Sequence, residues 1–192
     1  MPFGTAGPSR GTGTPARAWC RPGCGATIGP PFERRRGARR KHARHPMSTL
    51  VFVYGTLKQG FPNFHRNPGR RIGGVYRTRQ RLPLYVAGLP DEACAPWLVH
   101  QPGQGFQVPG ELYEMPDEAM PGLDAFEEAG LPWGYERLRI EVEAVDDPSE
   151  VVTAWAYLKR PQQLSACPTL QGPFEAYTPA LAAGYWLQGA TP

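Results

Sequence analysis

Leu50-Val51-Phe52-Val53-Tyr54-Gly55-Thr56-Leu57-Lys58-Gln59-Gly60 is a continuous apolar run that stops at a glycine. Five successive large apolar residues fit a strand buried on both faces, and the run is too short for a core helix. Gly55 lets the backbone turn sharply after the strand and approach a ligand closely. Successive unpaired N–H groups in such a turn form a concavity that holds an anion. An ordinary strand-to-loop glycine has the same appearance, and the G-x-x-x-x-G-K-[ST] spacing of a phosphate loop is absent.

Downstream, strands are predicted over 72–78, interrupted by Gly73-Gly74, and over 82–86, 97–100 and 108–113, the last bent or bulged at Gly110. Residues 61–66 read as a loop or one helical turn. Residues 117–128 read as a helix, with Asp117 as its cap and Met120, Leu123 and Phe126 on one apolar face. Pro121 either divides that helix or occupies a first turn. In 135–145, Leu138, Ile140 and Val142 alternate with charged residues, the period of a half-buried strand. A further strand is predicted over 151–158, and 174–186 is ambiguous. Six or seven strands with one main helix predict an α+β domain, a small mixed β-barrel with flanking short helices.

Charge divides the chain. Residues 1–46 hold ten Lys/Arg and one acid, a balance of +9, whereas 47–192 hold eleven and sixteen, a balance of −5. The first 46 residues form an Arg/Gly/Pro-rich segment with few large apolar side chains and are expected to be a disordered basic tail. Met47 leads directly into the first strand, so a misassigned start upstream of it is one expectation, and a transit peptide is the competing one. The run Arg34–Lys41 has the composition of a nucleic-acid or anionic-surface contact. No nucleic-acid partner is expected for the folded domain 47–192. Cys20, Cys24, His42 and His45 have the residue types of a zinc site but not its spacing, so no metal is assigned. No apolar run approaches the ~20 residues of a membrane span, and two cysteines in the body fit a reducing cytoplasm. The sequence leaves the oligomeric state open.

Within the body, Glu127 draws notice. With Leu123 and Phe126 facing the core, Glu127 falls beside the apolar face, where partial desolvation raises a carboxyl toward the range of a general base. Glu128 turns further outward. Two surface acids at a helix end are the plainer reading. His65 and His100 lack partners for a triad, and no H-E-x-x-H, C-x-x-C or G-x-G-x-x-G motif occurs.

Several ordered segments, covering about 50–160, resemble the γ-glutamylamine cyclotransferases of the γ-glutamyl cyclotransferase-like fold. They are Val51–Gly60 with Pro62-Asn63, Pro96–His100, Val108–Tyr113, Leu123–Glu127 and Tyr135–Arg137. The resemblance implies a small β-barrel with flanking helices, and a γ-glutamyl substrate whose α-carboxylate end sits in the turn Tyr54, Gly55, Thr56 and Leu57. It also implies Glu127 as acid/base. The substrate's own α-amine would attack its γ-amide, giving 5-oxoproline and a free amine with no cofactor. Ala125 departs from relatives that carry an acid there. The region after Arg160 differs from the animal enzymes, which leaves the departing amine open. The alternative is a non-catalytic relative that binds a small ligand.

Overall fold

A computed structural model describes residues 48–189, all within the compact unit His42–Pro192. The expectations for the basic tail, its start and its Cys/His set lie outside the described residues.

Five strands close a barrel. β1 (Ser48–Val53), β9 (Val151–Leu158), β8 (Glu136–Ala144), β3 (Tyr76–Thr78) and β7 (Pro109–Pro116) are hydrogen-bonded in that order, and β7 returns to pair with β1. All the contacts around the ring are antiparallel except β1 with β9, where Val51 lies opposite Trp155. The short β2 (Arg70–Arg71) adds to β7. Outside the ring, β4 (Leu84–Gly88) sits between β10 (Thr169–Phe174) and β6 (Ala95–Leu98), and β5 (Glu92–Ala93) pairs with β11 (Trp186–Leu187). No helix among the described residues is long and apolar enough to cross a membrane.

The alternation along the strands explains the unbroken apolar run of β1. Phe52 joins Leu112, Val142, Ala154, Ala156 and Leu158 in one core cluster. Val51 and Val53 join Tyr113, Met115 and Tyr157 in a second, capped by Met120 and Leu123 of helix α1 (Met120–Phe126). β1 is thus covered on both faces. β8 behaves as its period predicts, with Leu138, Ile140 and Val142 against the first cluster.

Differences from the sequence reading have local causes. Of the strand expected over 72–78 only β3, Tyr76–Thr78, forms, because the chain breaks at Gly73-Gly74, where Gly74 has φ +86°; β2 lies before that stretch. Gly110 produces no bulge, since the pairing of β7 runs through it without a register shift. A Cβ there would lie 2.5 Å from the Val53 carbonyl oxygen and 2.6 Å from the Phe52 ring, so the glycine permits closure of β7 onto β1. The strand expected over 97–100 begins earlier, and Pro96 lies inside β6, where an edge strand tolerates the missing N–H. The stretch 117–128 starts as a 3₁₀ turn, Asp117–Ala119, before α1, with Pro121 in the first turn. Asp117 does not cap the helix; its Oδ1 accepts from Thr49 Oγ1 at 2.7 Å. The ambiguous C-terminal stretch resolves into the end of β10, helix α2 (Pro179–Ala182) and β11.

Candidate active site

One cavity of about 680 Å³ opens beside the end of β1, and Tyr54, Gly55, Thr56, Leu57 and Glu127 all line it. That volume lies in the range of small-molecule sites.

The turn after β1 offers backbone rather than side chains. Tyr54 Oη donates to the Tyr157 carbonyl at 2.6 Å. Thr56 Oγ1 accepts from Asn63 Nδ2 at 3.1 Å, and Leu57 packs in the second core cluster. The Thr56 carbonyl takes the Asn63 N–H at 3.0 Å, and the Gly55 carbonyl takes the Lys58 N–H at 3.2 Å. The N–H groups of Gly55, Thr56 and Leu57 have no acceptor among the described residues. A turn with its side chains and these carbonyls engaged and its donors open is the arrangement an anion requires.

Gly55 has a second reason to be glycine. Its space on the side-chain side is taken by Pro96, whose Cγ would lie 2.6 Å from an added Cβ. The substitution therefore presses on Pro96 of β6, itself part of the cavity wall. Gly55→Ala is expected to lower stability by ~1–3 kcal/mol, as an overpacked core contact does. Thermal melts of parent and variant check this; an unchanged Tm contradicts it.

Glu127 lies where α1 ends. Its N–H donates to the Leu123 carbonyl at 2.9 Å, and its carbonyl accepts from Tyr135 N–H at 2.9 Å. Both sides of its backbone are therefore held. The helix itself is fastened to the barrel through Asp124, which accepts from Tyr157 Oη at 2.7 Å and from Arg137 Nη1 at 2.9 Å. Chain reversal occurs at Glu128, whose φ of +53° is a left-handed helix terminus. Glu128 is exposed at the cavity edge, turned outward by that reversal past the end of α1 and not by helical spacing.

The Glu127 side chain is half-buried on the cavity wall, and its carboxylate receives no hydrogen bond among the described residues. Burial, with the nearby charge of Glu92, pushes its pKa up from 4.5 to about 8; Lys159 opposes the rise. An acid in that state holds a proton at neutral pH yet releases it readily, which suits proton transfer in both directions.

Two charged groups in the cavity escaped sequence reading. Lys159, only 4% exposed, follows the apolar end of β9. Its Nζ donates to the Trp133 carbonyl at 2.6 Å and lies over the Tyr135 and Trp97 rings at 3.9 and 4.7 Å. Desolvation lowers its pKa from 10.5 to about 8 despite the nearby glutamates. A lysine directly after a buried apolar run was the available signal. Glu92 lies on β5, and nothing in its local sequence marks it.

The 131–134 segment at the cavity mouth is clamped from one side. Arg160 Nη2 donates to the Leu131 and Pro132 carbonyls at 3.1 and 3.0 Å. Gln163 Nε2 donates to those of Pro132 and Gly134 at 3.1 and 2.9 Å. The indole of Trp133, 62% exposed, is thereby presented beside the opening.

A family model described as "Gamma-glutamyl cyclotransferase, AIG2-like" matches residues 51–186. A gamma-glutamylaminecyclotransferase of Mus musculus is 35% identical over 117 residues, 56% of this chain and 75% of the relative. One of Homo sapiens is 41% identical over 104 residues, 51% of this chain and 64% of the relative. The crystal structure of an AIG2-like protein from Mus musculus matches with a TM-score of 0.55 at 31% identity, covering 68% of this chain and 88% of that one. With a barrel of this topology and a family model spanning most of the chain, the protein belongs to the gamma-glutamyl cyclotransferase, AIG2-like family.

Proposed function

We propose that this protein is a γ-glutamyl cyclotransferase that converts γ-glutamyl amines or γ-glutamyl amino acids into 5-oxoproline and a free amine, with Glu127 as acid/base. The observation that carries the reading is the Glu127 carboxylate, without a hydrogen-bond partner, in the same cavity as the open N–H groups of the turn after β1. Membership of the family supports it, and so do the names of the relatives.

In this reading the substrate's α-carboxylate rests on the N–H groups of Gly55, Thr56 and Leu57. The α-amine attacks the γ-amide carbonyl of the same residue. A C–N bond forms as the five-membered ring closes, and the bond to the departing amine breaks. The attacking nitrogen loses a proton to Glu127, and the departing nitrogen receives one from it, so the carboxylate ends as it began. Nucleophile and carbonyl belong to one molecule, so the protein's task is to hold it folded for attack. No cofactor takes part in this scheme, and the natural partner is the small γ-glutamyl substrate itself.

Incubation of the protein with a panel of γ-glutamyl amines and γ-glutamyl amino acids, assayed for 5-oxoproline, tests the activity. At least one member is expected to be consumed with equal release of amine and 5-oxoproline. No 5-oxoproline from any member contradicts the reading and favours a ligand-binding role.

The proton-accepting form of Glu127 is the ionised one. Its population rises with pH up to about 8. Accordingly kcat/KM is expected to climb about tenfold per pH unit on the acid side and to level near that value. A limb near the ordinary carboxyl range, determined from a pH–rate profile, contradicts this assignment.

A further inference from the structure

Four polar side chains from separate parts of the chain form one hydrogen-bonded line ending in the cavity. Asn63 is buried, with 3% exposure. Its Nδ2 donates to Thr56 Oγ1 at 3.1 Å and to Tyr185 Oη at 2.8 Å. Tyr185 Oη donates in turn to Glu92 Oε1 at 2.9 Å. An amide nitrogen only donates, so the Tyr185 oxygen must accept from Asn63 and its proton is left for Glu92. The line is therefore directional, and it presents a donor to a carboxylate.

The backbone reinforces it. β11, immediately after Tyr185, pairs with β5, placing Leu187 opposite Glu92 and Trp186 opposite Ala93. Gln188 N–H donates to the Asp91 carbonyl at 2.8 Å. Glu92 is half-buried on the cavity wall. Its second oxygen, Oε2, receives no hydrogen bond, and no ion pair joins Glu92 to a cation among the described residues. Lys159 is near enough for its charge to act on Glu92 but forms no ion pair with it, so a carboxylate drawn out of bulk water and touched by only one neutral donor still gains from a ligand cation in direct contact.

We propose that Glu92 binds the α-ammonium group of the γ-glutamyl substrate, with Tyr185 as the residue that positions it. This rests on the cyclotransferase reading of the cavity. The same chain of hydrogen bonds fixes Thr56 in the carboxylate-binding turn, so one network positions the partners of both charged groups on the substrate's α-carbon. It also gives the C-terminal segment a role in the site: it supplies the donor that orients Glu92. Once Glu92 has oriented the ammonium, its nitrogen gives up two protons in turn to Glu127 as the ring closes, and Glu127 passes both to the departing nitrogen, which leaves as an ammonium ion.

The test measures binding without turnover. In the Glu127→Gln background, Kd is determined by calorimetry for a γ-glutamyl butylamide and for the glutaryl butylamide that lacks only the α-amine. The γ-glutamyl compound is expected to bind at least about tenfold more tightly, the size of a charge-assisted contact. Adding Glu92→Gln is expected to erase that preference, and adding Tyr185→Phe to reduce it a few-fold. Glu92→Asp, which keeps the charge, is expected to retain part of it. A preference that survives both Glu92→Gln and Tyr185→Phe in folded protein overturns the proposal. So does the absence of any preference or binding with Glu92 present. A loss seen only when the butylamide is replaced by an aminobutylamide places Glu92 at the departing amine and overturns the α-ammonium assignment. The result does not depend on turnover, so a parental protein that makes no 5-oxoproline yet shows the preference loses the cyclotransferase reading and keeps this one.

Discussion

Glu127→Gln is expected to lower kcat for 5-oxoproline release by about 10³-fold or more while leaving the fold intact. Glutamine keeps the length and the hydrogen-bonding reach of the side chain but cannot take up a proton. General acid–base catalysis is typically worth 10²–10⁴-fold, and here a single carboxyl serves both the attacking and the departing nitrogen. The backbone around residue 127 is held by Leu123 and Tyr135, and Asp124 fastens the helix to the barrel. The substitution therefore removes chemistry and leaves the scaffold in place. Glu128→Gln is the control. That side chain is exposed at the cavity edge, and its kcat is expected to stay near the parental value. A Glu127→Gln variant with most of its activity would exclude this residue as the acid/base. Inactivity of Glu128→Gln alone would transfer the role to the neighbour.

The same substitution is expected to stabilise the protein at alkaline pH. The Glu127 pKa is raised from 4.5 to about 8 in the folded state, chiefly by burial. Between those values the native protein keeps a proton that the unfolded chain has released. Stability contributed by this group is complete below about 4.5 and is lost as pH rises through about 8, at ~1.4 kcal/mol per unit. Water reaching the cavity screens part of that loss, so roughly 2–4 kcal/mol is expected at pH 8 and above. Glutamine never ionises. The Glu127→Gln variant should match the parent near pH 4.5 in urea unfolding and exceed it progressively as pH rises. A difference independent of pH would show that the Glu127 carboxyl titrates normally. Inactivation and stabilisation by one change is the pattern of a site kept at the expense of stability.

The barrel was legible wherever one strand carried its own pattern. β1 announced burial on both faces by an unbroken apolar run, because core clusters cover it inside and out. β8 announced one buried face by strict alternation. Glu127 was legible because helical spacing placed it beside Leu123 and Phe126, on a helix only two turns long. What escaped was long-range. Glu92 and Tyr185 meet because two strands of two residues each pair across 93 positions of chain, and so short a strand has no period to read. Lys159 becomes part of the cavity only when the 131–134 segment folds over it. Gly55 was read as the point where the backbone approaches a ligand; the group found against its side-chain face is Pro96, 41 residues away, and no local rule names it.

The product formed in ¹⁸O-labelled water tests the central claim most directly. Intramolecular attack by the α-amine makes no use of solvent, so a γ-glutamyl amine turned over in labelled water should yield 5-oxoproline carrying no ¹⁸O, with one equivalent of free amine. Glutamate bearing ¹⁸O in its γ-carboxylate would show that water is the nucleophile, and would contradict a cyclotransferase.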